Sequence, residues 1–381
     1  MSAPRRVLLI QTQAENAGAQ EITRILGDGF TARRYEVANL FLYRKSSTFQ
    51  EQPNTHYCAQ ERPSTPLQVM RLLIELARHI RRLKPDIILT FQHYGNVIAA
   101  PVARLVSSAP VVANQVSALP TMSKLLRVAD FCMGAAGIFK VITVNSIDVQ
   151  RVYAAYPKAY SRRVVHVAHG FAERTSQLTK PQARGTFGLP RDVVLLGCVA
   201  RLHPLKGLDH AIRLLPSRPD WHLALLGQGP DRERLLELAS TLGVADRLHL
   251  AGEVGPKRIG DFLAGLDAFV FPSAAETFGL AAVEAAQAGV PVVANDLPVL
   301  REVLSIGDEP AALFVDVSDT EQFAQVTSRV LDDQPLGAAL RHNARKLTAR
   351  YSVDAMVEDY ERIFAKLVPL APVKALGQFA Q

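Results

Sequence analysis

Two carboxylates, Glu276 and Glu284, stand with seven residues between them in the segment FPSAAETFGLAAVEAAQAGVPVVA. No other charge occurs between Phe269 and Ala294, and ionisable side chains in so apolar a run are uncommon. Glu276 falls in a short polar loop, and Glu284 in the second turn of the helix that follows. Helix geometry leans Glu284 back toward the N-terminus on the face of Leu280, which directs both carboxylates at one crevice. Upstream, Arg201 and Lys206 lie in VARLHPLKG, between the carboxyl end of a strand and a helix. A guanidinium fork, an ammonium point charge and helix amides together suit a diphosphate. Taken singly, each residue also fits a plainer role. Glu276 can serve the helix dipole, Glu284 can be a solvated helix residue, and Arg201 and Lys206 can be surface cations.

The elements that must position these residues alternate strand and helix. Residues 267–271 form an apolar strand closed by Pro272, and 273–278 a loop. A helix is expected over 279–288, capped by Thr277 and ended by Gly289 and Pro291, before the next strand at 290–294. Apolar runs predict further strands at 6–11, 85–91, 110–114, 140–144 and 164–168, with a helix opening at Gly18 and another over Pro66–Leu83. This alternation argues for doubly wound parallel sheets. No G-x-G-x-x-G follows the first strand, which speaks against a dinucleotide oxidoreductase. His93, in FQHYGN, lies at a carboxyl strand end where ligands bind, and also fits an ordinary surface histidine. The Gly-, Pro- and Arg-rich stretch from His169 to Pro190 reads as a linker.

A chain of 381 residues suits two domains, expected at 1–175 and 186–350, followed by a C-terminal helical segment over 351–381. The opening apolar run is read as a strand rather than a leader, and no run reaches transmembrane length. Cys58, Cys132 and Cys198 are scattered and read as free thiols of a reducing cytoplasm. Charge is uneven: residues 1–180 carry 23 Lys and Arg against 11 Asp and Glu, while the rest is net acidic. A basic N-terminal half suggests an anionic partner. Arg71, Arg78, Arg81, Arg82 and Lys84 crowd one side of the 66–83 helix, opposite Val69, Leu72, Leu73, Leu76, Ile80 and Leu83. That pattern fits a core-packed helix with a solvated basic face, or a patch resting on anionic lipid. No nucleic-acid recognition motif appears, so nucleic acid is not an expected partner.

The two glutamates with seven residues between, and VARLHPLKG upstream, closely resemble the signature motifs of retaining GT-B glycosyltransferases, glycosyltransferase family 4. The resemblance implies an α/β chain of GT-B architecture, two Rossmann-like parallel-sheet domains facing across a cleft. It further implies transfer of a hexose-type sugar from a UDP- or GDP-sugar donor to a hydroxyl acceptor, with retention and without a metal. Carried over residue by residue, Glu276 contacts the donor sugar, Glu284 the ribose, and Arg201 and Lys206 the diphosphate. The amides of Thr277, Phe278, Gly279 and Leu280 hold sugar and phosphate, Val254 lies against the nucleobase, and Gly18 approaches the donor from the first domain. A histidine-type role in that domain falls to His93 or Gln115. The last helix crosses back to the first domain. In keeping with metal independence, no Asp-x-Asp pair occurs. No cofactor is expected beyond the donor itself. The acceptor is expected to be a lipid-linked or surface-polysaccharide intermediate, met by a cytoplasmic protein in peripheral contact with an anionic membrane. A nucleotide-sugar epimerase, a phosphorylase and a non-catalytic sugar-nucleotide-binding module are the alternatives on the same architecture.

Overall fold

The computed structural model describes residues 5–15, 17–45, 49, 51–118, 121–171 and 173–369. A seven-stranded parallel sheet holds β1 (Arg6–Ala14), β2 (Glu36–Arg44), β3 (Thr55–Tyr57), β4 (Ile87–Phe91), β5 (Val111–Gln115), β6 (Phe139–Val144) and β7 (Val164–His166), in the order 3-2-1-4-5-6-7. The second sheet is six-stranded and also parallel. Its members are β8 (Val194–Val199), β9 (Trp221–Leu226), β10 (Leu248–Gly252), β11 (Ala268–Phe271) and β12 (Val292–Asn295), and, past the small hairpin of β13 (Ser305–Ile306) and β14 (Glu309–Pro310), β15 (Leu313–Val315). Their order is 10-9-8-11-12-15. In each sheet the strand order reverses beside the first strand, between β1 and β4 and between β8 and β11. That reversal opens a crevice at the carboxyl ends of the strands.

Helices α1 (Gly18–Ala32), α2 (Pro66–Leu83), α3 (Ala100–Val106), α4 (Lys124–Ala135), α5 (Ile147–Ala154) and α6 (Lys158–Ser161) accompany the first sheet. Helices α7 (Lys180–Thr186), α8 (Leu208–Ile212), α9 (Arg232–Thr241), α10 (Ile259–Ala264), α11 (Leu280–Gln287), α12 (Pro298–Val303), α13 (Thr320–Asp332) and α14 (Gln334–Arg350) accompany the second, and α15 (Val353–Leu367) follows. Alternation along β1 sorts the layers. Leu8 and Ile10 face a core shared with Leu72, Leu76 and Ile80 of α2, while Val7 and Leu9 face α1 and α15. The doubly wound parallel-sheet arrangement expected from the sequence is present in both halves.

Several elements differ from expectation. β1 runs to Ala14 and α1 to Ala32, longer than their apolar runs suggest, and β2 and β3 were not anticipated. On α2 only Leu72, Leu76 and Ile80 are buried; Val69, in the first turn, is exposed, and the buried stripe begins at Leu72. The ends of α2 do match. Thr65 and Gln68 form a capping box at one end, and Lys84 turns left-handed at the other, just before Pro85.

The halves meet in one continuous core. Phe171 of the linker, Phe278 and Tyr351 form an aromatic cluster, with Phe278 and Tyr351 edge-to-face at 5.1 Å. α15 returns to the first sheet, where Phe364 packs on Phe30 at 5.2 Å and Tyr360 donates to Asn114 Oδ1 at 2.5 Å. Glu302 of α12 accepts the backbone N–H groups of Ile147 and Asp148, both at 2.7 Å, at the amino end of α5. Replacing the buried Phe364 by Ala should lower unfolding free energy by about 3–5 kcal/mol, read from the denaturant midpoint. A loss below about 1 kcal/mol would mean that α15 is not docked in solution.

Candidate functional site

A cleft of about 780 Å³ opens between the carboxyl edges of the two sheets. Gly18, Arg201, Lys206, Val254, Glu276, Leu280 and Glu284 all line it, although they lie up to 266 positions apart in the chain. β8 ends at Val199 and leaves Arg201 exposed on the cleft wall. The chain then makes a tight 3-10 turn over Pro204–Lys206. Gly207 follows at φ 59°, where an added Cβ would stand 2.2 Å from the carbonyl oxygen of Pro272. Ala274 N–H donates to Leu205 O at 2.9 Å, so the Lys206 turn and the Glu276 loop are joined backbone to backbone. Across that seam Lys206 Nζ reaches Glu276 Oε1 at 2.5 Å.

The start of α11 is built differently from expectation. Thr277 does not cap it. Its hydroxyl turns across the interface, accepting from Asn145 Nδ2 at 3.1 Å and donating to Val116 O at 3.3 Å. The helix begins instead from Gly279 at φ 87°, with no side-chain cap. A Cβ at Gly279 would lie 2.5 Å from Leu300 Cδ2, so the turn requires glycine on steric as well as conformational grounds. Phe278 points into the aromatic cluster beside His169, with ring centroids 5.2 Å apart. Thr277, Phe278 and Gly279 thus lie behind the lining rather than on it, and the side chains of Thr277 and Phe278 join the domains.

Glu284 is buried at 3 % exposure, and Arg174 of the linker holds it, Nε to Oε1 at 2.7 Å. The same guanidinium gives Nη2 to Glu21 Oε1 of α1 at 2.6 Å, and Glu21 also takes Arg24 at 2.7 Å. Burial pushes the Glu284 carboxyl above its ordinary range, and Arg174 only partly opposes it. Burial also acts upward on Glu21, but the hydrogen bonds and charges of Arg24 and Arg174 prevail and hold it below its ordinary value. Neither Arg174 nor Glu21 stood out in the sequence. Arg174 is one of several charged residues in the linker, beside Glu173, Lys180 and Arg184, and nothing in the sequence singles it out.

His93 and Gln115 are not among the cleft-lining residues. The chain leaves β4 through Gln92 at φ 65° and folds His93 inward, where Nε2 meets Thr121 Oγ1 at 3.2 Å. Burial pulls the imidazole down to about 4, against smaller opposite effects of Ala118 and Gln115, so it is neutral near pH 7. Gln115 is fully buried and donates to Asp130 Oδ1 at 2.7 Å. Its place at the end of β5 therefore belongs to the interior of the first domain. Among the described residues no group of three or more His, Cys, Asp or Glu could hold a metal ion.

Comparison with known proteins agrees with this arrangement. Residues 179–347 match the family described as Glycosyl transferases group 1. The lipopolysaccharide core biosynthesis mannosyltransferase LpsB of Rhizobium meliloti (strain 1021) is 33% identical over 210 residues, 52% of this chain and 58% of that protein. A D-inositol 3-phosphate glycosyltransferase of Mycolicibacterium smegmatis is 32% identical over 195 residues, 48% of this chain and 44% of that protein. The chain spans about half the length of the curated relatives it matches. In fold, Anabaena Alr3699/HepE in complex with UDP-glucose superposes with a TM-score of 0.81 at 19% identity, over 95% of this chain and 100% of that one. WaaG, a glycosyltransferase involved in lipopolysaccharide biosynthesis, gives 0.72 at 18% identity, over 96% and 100%.

Arg174→Ala should destabilise the protein by about 3–5 kcal/mol at neutral pH, because it strands a buried carboxylate. Without its cation Glu284 would have a folded-state pKa raised further above the unfolded value. The folded state then binds the extra proton, so the deficit should be largest at high pH and shrink as pH falls through the raised value. Denaturant unfolding of both proteins at about pH 8 and pH 5 reads this directly; an equal deficit at both would show that unpaired Glu284 escapes to water. Two parallel-sheet domains, with the cleft at their facing switch points, make this a chain of GT-B architecture whose residues 179–347 match the family described as Glycosyl transferases group 1.

Proposed function

We propose that the chain is a retaining, metal-independent glycosyltransferase moving a hexose-type sugar from a UDP- or GDP-sugar to a hydroxyl acceptor. The observation that carries this reading is the convergence of Arg201, Lys206, Glu276 and Glu284 on one cleft between the two sheets. Val254 would bear on the base, Glu284 on the ribose, and Glu276 on the sugar hydroxyls. The backbone around Gly279 and Leu280 would meet the phosphates, and Gly18 would close the site from the first domain. During transfer the bond between the anomeric carbon and the phosphate oxygen breaks, and the acceptor oxygen bonds to that carbon on the same face. The acceptor proton passes to the departing diphosphate, whose growing charge Arg201 and Lys206 stabilise. His93, buried and neutral, has no direct part in these steps. The mannosyltransferase among the relatives and the UDP-glucose-bound structural neighbour support a nucleotide-sugar donor.

The acceptor is proposed to be a lipid-linked or surface-polysaccharide intermediate. α2, α3 and α4 cover one face of the first sheet, and there leave Leu67, Met70, Ile74, Leu105, Leu125 and Val128 exposed. Arg71, Arg104, Lys124 and Arg127 are exposed among them. Apolar side chains set among cations suit an anionic bilayer surface, which supports peripheral contact with the inner face of a cell membrane.

Two outcomes test the reading. With a turned-over UDP- or GDP-sugar, Glu276→Ala and Arg201→Ala should each lose on the order of 10²–10³ in rate, and EDTA should change nothing. Normal transfer by both variants would sink the site assignment. In flotation assays the protein should rise with phosphatidylglycerol vesicles but not with phosphatidylcholine alone, less so at high salt, and Leu125→Glu should weaken it. Equal recovery on both lipids would remove the membrane from the proposal.

A further inference from the structure

Away from the cleft, two histidines and an arginine of the first domain share one contact. His56 lies on β3, the edge strand of the first sheet, and His79 and Arg82 lie in the last two turns of α2. The imidazole centroids are 5.3 Å apart, and Arg82 Nη2 lies 3.4 Å from His56 Nδ1 and 3.2 Å from His79 Nδ1. A guanidinium only donates, so both Nδ1 atoms present lone pairs and both rings are neutral, each with its proton on Nε2. The surroundings agree. Asn54 gives its amide nitrogen to Val37 O at 2.8 Å, which turns its Oδ1 toward His56 Nε2 at 2.9 Å. His79 is hydrogen-bonded to the backbone of Tyr57. Burial, the neighbouring ring and Arg82 hold His56 below the ordinary histidine value. Burial and Arg82 do the same to His79, against smaller opposite effects of Glu75 and Tyr57.

Arg82 is thus poorly matched. Among the described residues it engages no carboxylate, and imidazole lone pairs are its side-chain partners. The acids of the same region are taken: Glu75 by Arg78, and Glu51 by Arg44 at 3.3 Å and by the Tyr57 hydroxyl at 3.0 Å. Arg78, Arg81 and Lys84 are exposed around it. A phosphate oxygen is a stronger acceptor for a guanidinium than an imidazole nitrogen. Once Arg82 turns outward to such an anion, the two freed Nδ1 atoms can take up protons from solvent and donate to it as well. Three donors then converge on one phosphate, and two of them exist only after protonation.

The position of the cluster points to the source of that phosphate. Along α2 the exposed residues Leu67, Met70, Ile74, Arg78 and Arg81 recur every three or four positions and share one face. His79 and Arg82 each stand one residue further on, about 100° around the helix on the side of β3. An apolar stripe that enters the acyl boundary brings the flank of its helix to the depth of the headgroups. We propose that His56, His79 and Arg82 form a proton-gated site for the phosphate of an anionic lipid headgroup. This rests on the membrane contact proposed above and supplies its regulation: Arg82 is released and the Nδ1 atoms are protonated as the lipid binds. The bound phosphate raises the proton affinity of both rings. By linkage, affinity for the bilayer therefore rises as pH falls through the ordinary histidine range.

Flotation and histidine NMR together test the site. Wild-type protein should bind phosphatidylglycerol vesicles about tenfold more strongly at about pH 5.5 than at about pH 7.5, as two linked protonations predict. The His56→Gln/His79→Gln variant should match wild type at the higher pH and keep no more than about a twofold rise at the lower, the share owed to other groups. If it does not fold, Arg82→Gln, at an exposed position, should lower binding at the lower pH to the same level. An equal rise in wild type and the folded variants would overturn the site. Ring resonances followed against pH, with and without glycerol 1-phosphate, read the site without a bilayer, and the titrations of His56 and His79 should move upward when the phosphate is present. Flotation absent at both pH values, with titrations that still respond, would remove the membrane contact and leave the site to soluble phosphates, which overturns the lipid assignment. Titrations unmoved by the phosphate would overturn the site whatever the vesicles show.

Discussion

Arg174 lies between two carboxylates that belong to different domains, and the geometry of the cleft depends on it. From α1 through the linker to α11 the charges alternate, Arg24, Glu21, Arg174, Glu284, and sum to zero. Taking any one of them out of water alone would cost several kcal/mol, so each is tolerable only because the next is in place. The linker is consequently more than a tether. Its arginine holds the carboxylate of α11 in a fixed orientation, and it ties that carboxylate to the first turn of the helix after β1. A shift of one domain against the other has to stretch or break one of these short contacts, which couples the position of Glu284 to the opening of the cleft.

The segment Thr277–Leu280 does two jobs that its sequence hides. Its side chains hold the domains together: Thr277 reaches Asn145 and Val116, and Phe278 fills the aromatic cluster with Phe171 and Tyr351. Of the four, Leu280 lines the cleft, while Thr277, Phe278 and Gly279 form the packed layer behind its wall. Gly279 makes this compatible by turning the chain through a conformation that other residues adopt only at a cost. The same seam includes Gly170, where an added Cβ would stand 2.4 Å from Ser352 O, so linker and C-terminal segment touch backbone to backbone.

Much of this was legible in the sequence, and the reason is local. Glu276, Glu284, Arg201 and Lys206 each follow a buried strand and precede or enter a helix, and the parallel-sheet rule sends all such positions to one edge. α2 declared both ends through Thr65, Pro66, Gln68 and Pro85. What was not legible depends on partners distant in the chain. Arg174 finds Glu21 and Glu284 at separations of 153 and 110 residues. Thr277 had the residue type and position of a helix cap, and tertiary hydrogen bonds 132 and 161 residues away took its hydroxyl instead. His93 looked like a loop histidine at a ligand-binding strand end; the left-handed turn at Gln92 that buries it leaves no mark in composition or spacing.

The pairing of Lys206 with Glu276 bears on how such a cleft can turn over. On the glycosyl-transfer reading, the product nucleoside diphosphate carries more charge than the donor, and a site of uncompensated cations would hold it most tightly after the chemistry is done. Here the ammonium already has a carboxylate 2.5 Å away. Its attraction for phosphate is tempered in the resting protein, and it grows in effect only as charge develops on the leaving oxygen. On that reading Arg201, exposed and without an ion pair among the described residues, would recognise the donor from solvent, and Lys206 would contribute mainly at the transition state. On the same reading the division of labour between two cations five residues apart would follow from one neighbouring carboxylate, and Glu276 would bear on both sugar recognition and the release of product.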